Sequence, residues 1–184
     1  MRLTAGISMA HAGRPVAAKG GDMSEQIGTG ETRPPNNRLK LITDGEWAGW
    51  SIWQSDAFEQ RAGPFYERVD EAGDGVTAFR AGVEHMNGGG FMHGGCLMTF
   101  ADSALFTIAR PAMEGSFGVT VNLSGDFLDG ARVGEFMEAR GAITRAARSI
   151  VFVRGLVTAD ARPVLSFTGI IKKVGRRTDT ASAS

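Results

Sequence analysis

The sequence predicts an α+β domain in which an antiparallel sheet wraps around one long, buried helix. Between residues 117 and 173 apolar and polar side chains alternate in several runs with the period of two of a β-strand. Residues 94–110, GGCLMTFADSALFTIAR, break that habit: Cys96, Leu97, Phe100, Ala104, Leu105 and Ile108 place apolar groups on nearly every side, as a buried helix does. A glycine-rich stretch immediately before the helix, residues 87–95, separates the two periodicities.

The bulk composition suits one such domain with loose ends. The chain has 184 residues, of which 42% are hydrophobic, enough for a core and too many for a disordered protein. Twenty basic residues balance twenty acidic ones, so no strong field invites nucleic acid or an anionic membrane, and an anionic partner must be held by local groups. Cys96 is the single cysteine, and His11, His85 and His93 form no metal-binding motif. A structural zinc or metal cofactor is therefore not expected, and a reducing, cytoplasmic setting is. No apolar run reaches the length of a membrane-spanning helix.

Taken in order, residues 1–45 are expected to be extended or disordered. Met23, heading MSEQ, is a plausible alternative start, and residues 24–40 read as a linker because Gly, Thr, Asn and Pro34-Pro35 interrupt regular structure. Residues 46–174 form the expected domain. Trp47, Trp50 and Trp53 recur every third residue, which predicts a short helix docked on the core through its tryptophans. Residues 75–83 predict a strand after the turn Gly73-Asp74-Gly75. The helix at 94–110 should end at Pro111. In the next strand, from residue 117, Phe117, Val119, Val121, Leu123 and Phe127 share one face while Thr120, Asn122, Ser124 and Asp126 share the other. Residues 135–145 and 163–173 alternate likewise, and 149–158 is a nearly continuous apolar run suited to a central strand. Residues 175–184 lack a core-forming pattern and are expected to be a flexible tail.

Two features carry chemistry. Five glycines in the nine residues 87–95 allow positive φ and close backbone approach. Gly94 and Gly95 fall where the helix begins, so its unpaired N–H groups and positive dipole end could meet a substrate carbonyl there. The second feature is Asp102, two turns into an otherwise apolar helix. An ionised carboxylate in that setting is costly unless it is paired, through Ser103, Thr99 or a partner strand, or unless it opens on a polar cavity.

The joint spacing resembles a known pattern. Asn87 six residues before His93, then Gly94-Gly95, then Asp102 nine residues after the histidine, is similar to the signature of hotdog thioesterases of the phenylacetate-degradation type, within the 4-hydroxybenzoyl-CoA thioesterase superfamily. Thr120, in Gly118-Val119-Thr120-Val121-Asn122-Leu123, resembles the next strand of that family, and the likeness spans roughly residues 64–173. It implies the hotdog fold and hydrolysis of acyl-CoA thioesters to free acid and coenzyme A, with no cofactor beyond the coenzyme A of the substrate. Asp102 would be general base or nucleophile, the Gly95 amide would polarise the carbonyl, and Asn87 would position water or carbonyl. His93 would brace the loop or bond near the thioester, and Thr120 would form a polar wall. The resemblance further implies a pocket shared across a homodimer, assembled as a tetramer, with Asp102 of one chain facing Asn87 and Gly95 of the other. Basic residues at the pocket mouth would meet coenzyme A phosphates, and Arg145 and Arg148 are the candidates beside Gly94 for substrate binding.

Other readings of the same residues remain open at this point. Cys96 lies near a helix N-terminus, where a thiol pKa falls, but it is expected to be buried. His85 is expected to be a satisfied strand-end residue. A hotdog hydratase or dehydratase, or an acyl-CoA-binding protein without turnover, are the alternatives, since fold alone does not separate them.

Overall fold

A computed structural model describes residues 39–176 of the chain. The Met23 start, most of the 24–40 linker and the end of the tail lie outside the described residues. The elements run β1 (Leu39–Leu41), β2 (Ser51–Trp53), a one-turn helix α1 (Glu59–Ala62), β3 (Tyr66–Val69), β4 (Gly75–Arg80), a 3-10 turn (Val83–His85), α2 (Gly94–Met113), β5 (Ser116–Phe127), β6 (Phe136–Ala146), β7 (Ile150–Ala159) and β8 (Arg162–Arg176). All eight strands form one antiparallel sheet in the order β1-β2-β3-β4-β6-β7-β8-β5, so the chain's first long strand, β5, ends up at an edge. Because β1 pairs with β2 and β8 continues to Arg176, the sheet reaches past both expected boundaries, 45/46 and 174/175.

The sheet curves around α2. Phe100, Ala101, Ala104 and Leu105 of the helix are fully buried against Phe79, Met137, Leu165, Phe167 and Ile171 of the strands. Each such Leu or Phe contributes about 1.5–3 kcal/mol by leaving water. The close approach depends on glycines in the sheet. A Cβ at Gly169 would run into the Leu105 side chain, and one at Gly141 would meet both Ile108 and the Arg154 carbonyl.

Four expectations are corrected. The tryptophan segment is not a helix. Gly45 and Gly49 take positive φ (74° and 84°), a conformation unavailable within a helix, and the chain turns back to pair β2 with β1. The tryptophans still pack: Trp50 is buried on Val76 and Ala78, and Trp47 stacks on Tyr66 with ring centroids 4.0 Å apart. Next, α2 runs through Pro111 to Met113 and ends at Glu114 and Gly115, whose φ values are 52° and 75°. Pro111 lies in the last turn, where it removes only one N–H, the one that would serve the Thr107 carbonyl. That carbonyl instead borders Gly75, where a side chain would not fit.

The third correction concerns β5. Its register against β8 slips between Thr120 and Asn122, which leaves Val121 as the extra residue of a β-bulge. The bulge reverses the alternation. Before it Gly118 and Thr120 face α2, and after it Leu123 and Gly125 do. Val121, expected on the core face with Phe117, is 47% exposed. Similarly, the strand expected over 75–83 stops at Arg80 and passes into the 3-10 turn.

Candidate active site

The glycine loop is built around Asn87. Its backbone N–H donates to the Phe91 carbonyl (2.7 Å) and its carbonyl accepts from Gly90 (3.0 Å). Its side-chain oxygen accepts from the Gly89 and Phe91 amides at 2.8 and 3.3 Å. Such Asn side-chain turns hold a loop without regular structure. What Asn87 could still offer a water or carbonyl is its NH2 group.

His93 is the N-cap of α2. Its Nδ1 accepts the Gly95 N–H at 2.9 Å, which leaves Nε2 as the ring nitrogen that can donate. A Cβ at Gly94 would lie 3.1 Å from the Phe127 ring, and one at Gly95 would lie 3.0 Å from His93 Nδ1. In a single chain, then, the two glycines admit Phe127 and His93, and the Gly95 donor is covered by the imidazole. His93 thus caps the start of α2.

Asp102 lies seven residues further along α2, about 10 Å down the axis at 1.5 Å per residue. One chain does not bring it to Gly95 or Asn87. Its Oδ1 accepts the Thr120 hydroxyl at 2.7 Å across the gap between helix and β5. Neither neighbour considered for it is its partner: Thr99 donates back to the Gly95 carbonyl at 2.9 Å, and Ser103 bonds to Glu59.

Asp102 also borders a cavity of about 470 Å³. From α2 the walls include Ser103, Phe106 and Arg110, and from the start of β5 they include Phe117 and Gly118. The remaining wall comes from the segment before the domain's central strands: Trp53, Asp56 and Glu59. Asp56 caps α1, its Oδ1 accepting the Phe58 and Glu59 amides at 3.0 and 2.9 Å. Burial pushes the Glu59 carboxyl above the usual range; the Ser103 hydroxyl opposes this, and the charges of Asp56, Glu67 and Asp102 add to it.

Behind the cavity, Glu67 is buried at 5% exposure and receives three donors: Thr107 Oγ1 at 2.9 Å, Trp53 Nε1 at 3.2 Å and the Arg110 guanidinium through two nitrogens. The arrangement neutralises a buried carboxylate and holds Arg110 at the cavity wall.

The other candidates fall away from this centre. Burial, reinforced by Glu84, pushes the Cys96 thiol up to about 11, so the lowering expected from the helix terminus is overturned and no thiolate nucleophile is at hand. His85 is buried and satisfied, its Nδ1 accepting from Gly82 at 2.8 Å and its Nε2 facing the Gly63 carbonyl at 3.4 Å. Arg145 and Arg148 are exposed on the β6–β7 hairpin and do not line the cavity. Among the described residues no group of three or more His, Cys, Asp or Glu side chains is arranged to hold a metal ion. The sequence reading missed Asp56, Glu59 and Arg110. Asp56 followed at the third position by Glu59 is a helix-start signal that could have placed α1.

With this geometry in hand, comparison with known proteins is decisive for the family. The description "Thioesterase superfamily" fits residues 89–166, from the glycine loop into β8. A Pseudomonas aeruginosa protein named as an esterase, PA0474, is 32% identical over 120 residues, covering 65% of this chain and 90% of that protein. The chain belongs to the thioesterase superfamily. It has the hotdog fold, and it is a thioester hydrolase. Among solved structures of the fold, the TT0310 protein of Thermus thermophilus matches with TM-score 0.57 and 25% identity, over 65% of this chain and 98% of that one. A Streptococcus pneumoniae thioesterase solved with coenzyme A matches at TM-score 0.56 and 21% identity, over 62% and 88%. The E. coli PaaI protein of the phenylacetic acid degradation operon matches at 0.52 and 20%, over 55% and 73%. The last two likenesses bear on the fold alone.

Proposed function

We propose that this superfamily member hydrolyses acyl-CoA thioesters to a free acid and coenzyme A, with Asp102 as general base. The observation that carries the reading is Asp102 itself, a half-buried carboxylate steadied by Thr120 and opening on a cavity large enough for an acyl group. Water attacks the thioester carbonyl carbon while Asp102 takes its proton. The oxyanion forms against backbone N–H donors, the C–S bond then breaks, and the departing thiolate takes a proton back. A thioester suits so modest an apparatus, because its carbonyl is electrophilic and its thiolate leaves without strong acid help. Coenzyme A is substrate here, and no separate cofactor enters the reaction.

In this reading the pocket is completed by a second copy of the chain, whose Asn87 and Gly95 face Asp102. Two observations support a dimer. Gly95 lies about two turns along α2 from the Asp102 of its own chain, and Asn87 precedes the helix altogether, so neither serves that carboxylate within one chain. Among the described residues the twelve-residue strand β5 is an edge of the sheet, carrying exposed Val121 and Phe127 and followed by exposed Leu128, and so is suited to pairing. On dimerisation the substrate carbonyl would displace or share the imidazole at Gly95. Arg145 and Arg148, exposed on the β6–β7 hairpin, would meet coenzyme A phosphates at the mouth of the pocket once the second copy completes it, and further pairing of dimers would give a tetramer. The coenzyme A and acetyl-CoA bound in the Streptococcus pneumoniae and Streptococcus mutans structures favour coenzyme A as the carrier. The same reading sets the reaction in the cytoplasm. No helix of the described residues is long and apolar enough to cross a membrane.

The test is a panel of acyl-CoA substrates with a thiol-detecting reagent. Free coenzyme A should appear with the parent chain and vanish with Asp102→Asn, while Cys96→Ala keeps most activity. Undiminished turnover in Asp102→Asn would remove the carboxylate from its role. Binding of acyl-CoA without thiol release would make this a binding protein, and a stable, active monomer in light scattering would contradict the shared pocket.

A further inference from the structure

The cavity beside Asp102 has a distinct charge. Among the described residues three carboxylates, Asp56, Glu59 and Asp102, border it, together with one cation, Arg110. That cation is already matched, because both of its terminal nitrogens are engaged by Glu67. The other walls include the rings of Trp53, Phe106 and Phe117, the aliphatic Leu39 and Met113, and the polar Ser103 and Ser116. Among the described residues, an acyl group entering from Asp102 therefore meets an excess of carboxylates on one side and aromatic and aliphatic groups on the other. Glu59 is half-buried in this space and lies beside Ser103, the residue following Asp102. Burial and the neighbouring acids already disfavour its charge, so a further anion brought alongside would meet the full repulsion of a poorly solvated group.

We propose that Glu59 is a specificity-determining residue, whose carboxylate turns the cavity into a charge filter that rejects acyl groups ending in a carboxylate and favours those ending in an ammonium group. The inference rests on the proposed thioesterase reading, in which the acyl group occupies this cavity. It adds a selection by charge at the end of the acyl group remote from the thioester. Two unit charges about 6 Å apart in a partly buried site interact strongly enough to change a rate constant by about 10²-fold. An adipoyl thioester should accordingly be hydrolysed about 10²-fold less efficiently than a hexanoyl thioester of equal length, and a 6-aminohexanoyl thioester more efficiently than either.

The experiment measures kcat/KM of the full chain for hexanoyl-CoA, 6-aminohexanoyl-CoA and adipoyl-CoA, with Glu59→Gln and Glu59→Lys alongside. The readout is the ratio between substrates within each variant, which a partial loss of folded enzyme does not move. The adipoyl-to-hexanoyl ratio should rise about 10²-fold in Glu59→Gln, which removes that one pair of charges, and further in Glu59→Lys. The aminohexanoyl preference should fall in the same order. Equal ratios in the parent and Glu59→Lys, with hexanoyl-CoA hydrolysed by both, would overturn the filter and leave the thioesterase reading standing. Absence of thiol release from all three substrates by the parent would overturn both together.

Discussion

Thr120 donates its hydroxyl to Asp102 Oδ1 across 2.7 Å, and this bond ties the edge strand of the sheet to the buried helix at the carboxylate. It exists because β5 bulges at Val121, which turns Thr120 towards α2. A hydrogen bond to a charged group is worth about 1.5–3 kcal/mol. Thr120→Val, which keeps the shape and deletes the donor, should lower kcat for an acyl-CoA thioester by about 10- to 100-fold. Thr120→Ser should retain most of it. Steady-state kinetics on one substrate decides, and a Thr120→Val enzyme as fast as its parent would free Asp102 from this dependence.

The cap at His93 has a stability consequence. Loss of an N-cap side chain costs about 0.5–2 kcal/mol. His93→Ala leaves the Gly95 amide without its partner, so its urea midpoint should fall accordingly, while His93→Asn, another capping side chain, should recover most of the difference. An unchanged midpoint in His93→Ala would show that the bond is not significant for folding.

Glu59 links stability to pH. Its folded-state pKa is raised, with burial the leading cause, so folding is unhindered while the carboxyl is protonated and loses stability as pH climbs through the raised value. Glu59→Gln keeps an acceptor for Ser103 and removes the charge. Its melting temperature should match the parent below the ordinary glutamate range and exceed it at neutral pH. A gap that instead opens only on acidification would contradict the sign.

Arg110 neutralises the buried Glu67. Arg110→Ala should cost about 3–5 kcal/mol, because it strands a charge the interior cannot solvate. Adding Glu67→Gln to Arg110→Ala should restore part of that loss. Chemical denaturation of the single and double variants tests it; additive losses would argue against direct coupling.

Gly141 lets the helix approach the sheet. Gly141→Ala puts a methyl group against the Arg154 carbonyl and Ile108, and overpacking of this kind costs about 1–3 kcal/mol. Thermal melts should show the drop, and a variant as stable as its parent would mean that the sheet yields there.

The helix at 94–113 was legible because a buried helix surrounded by other elements shows apolar residues on all sides, whatever its partners. The long strands were legible through their period of two, and Asp102 stood out because a carboxylate in such company is costly anywhere. The tryptophan spacing misled, since a repeat of three is local, whereas the positive φ of Gly45 and Gly49 follows from β2 folding back on β1. Glu59 went unnoticed for a related reason. Its spacing from Asp56 marks it only as part of a helix start, and its position against Ser103 is what brings it to the site.

The sequence by itself determined the sheet-and-helix class, the glycine-rich entry to the helix and the isolated acid, because each depends on neighbours within a few residues. Tertiary structure alone decided which way Thr120 points, that His93 covers the Gly95 amide, and that Glu59 shares a cavity with Asp102. Those outcomes depend on a one-residue slip between strands and on contacts between distant segments. Their energies arise only when the chain closes on itself.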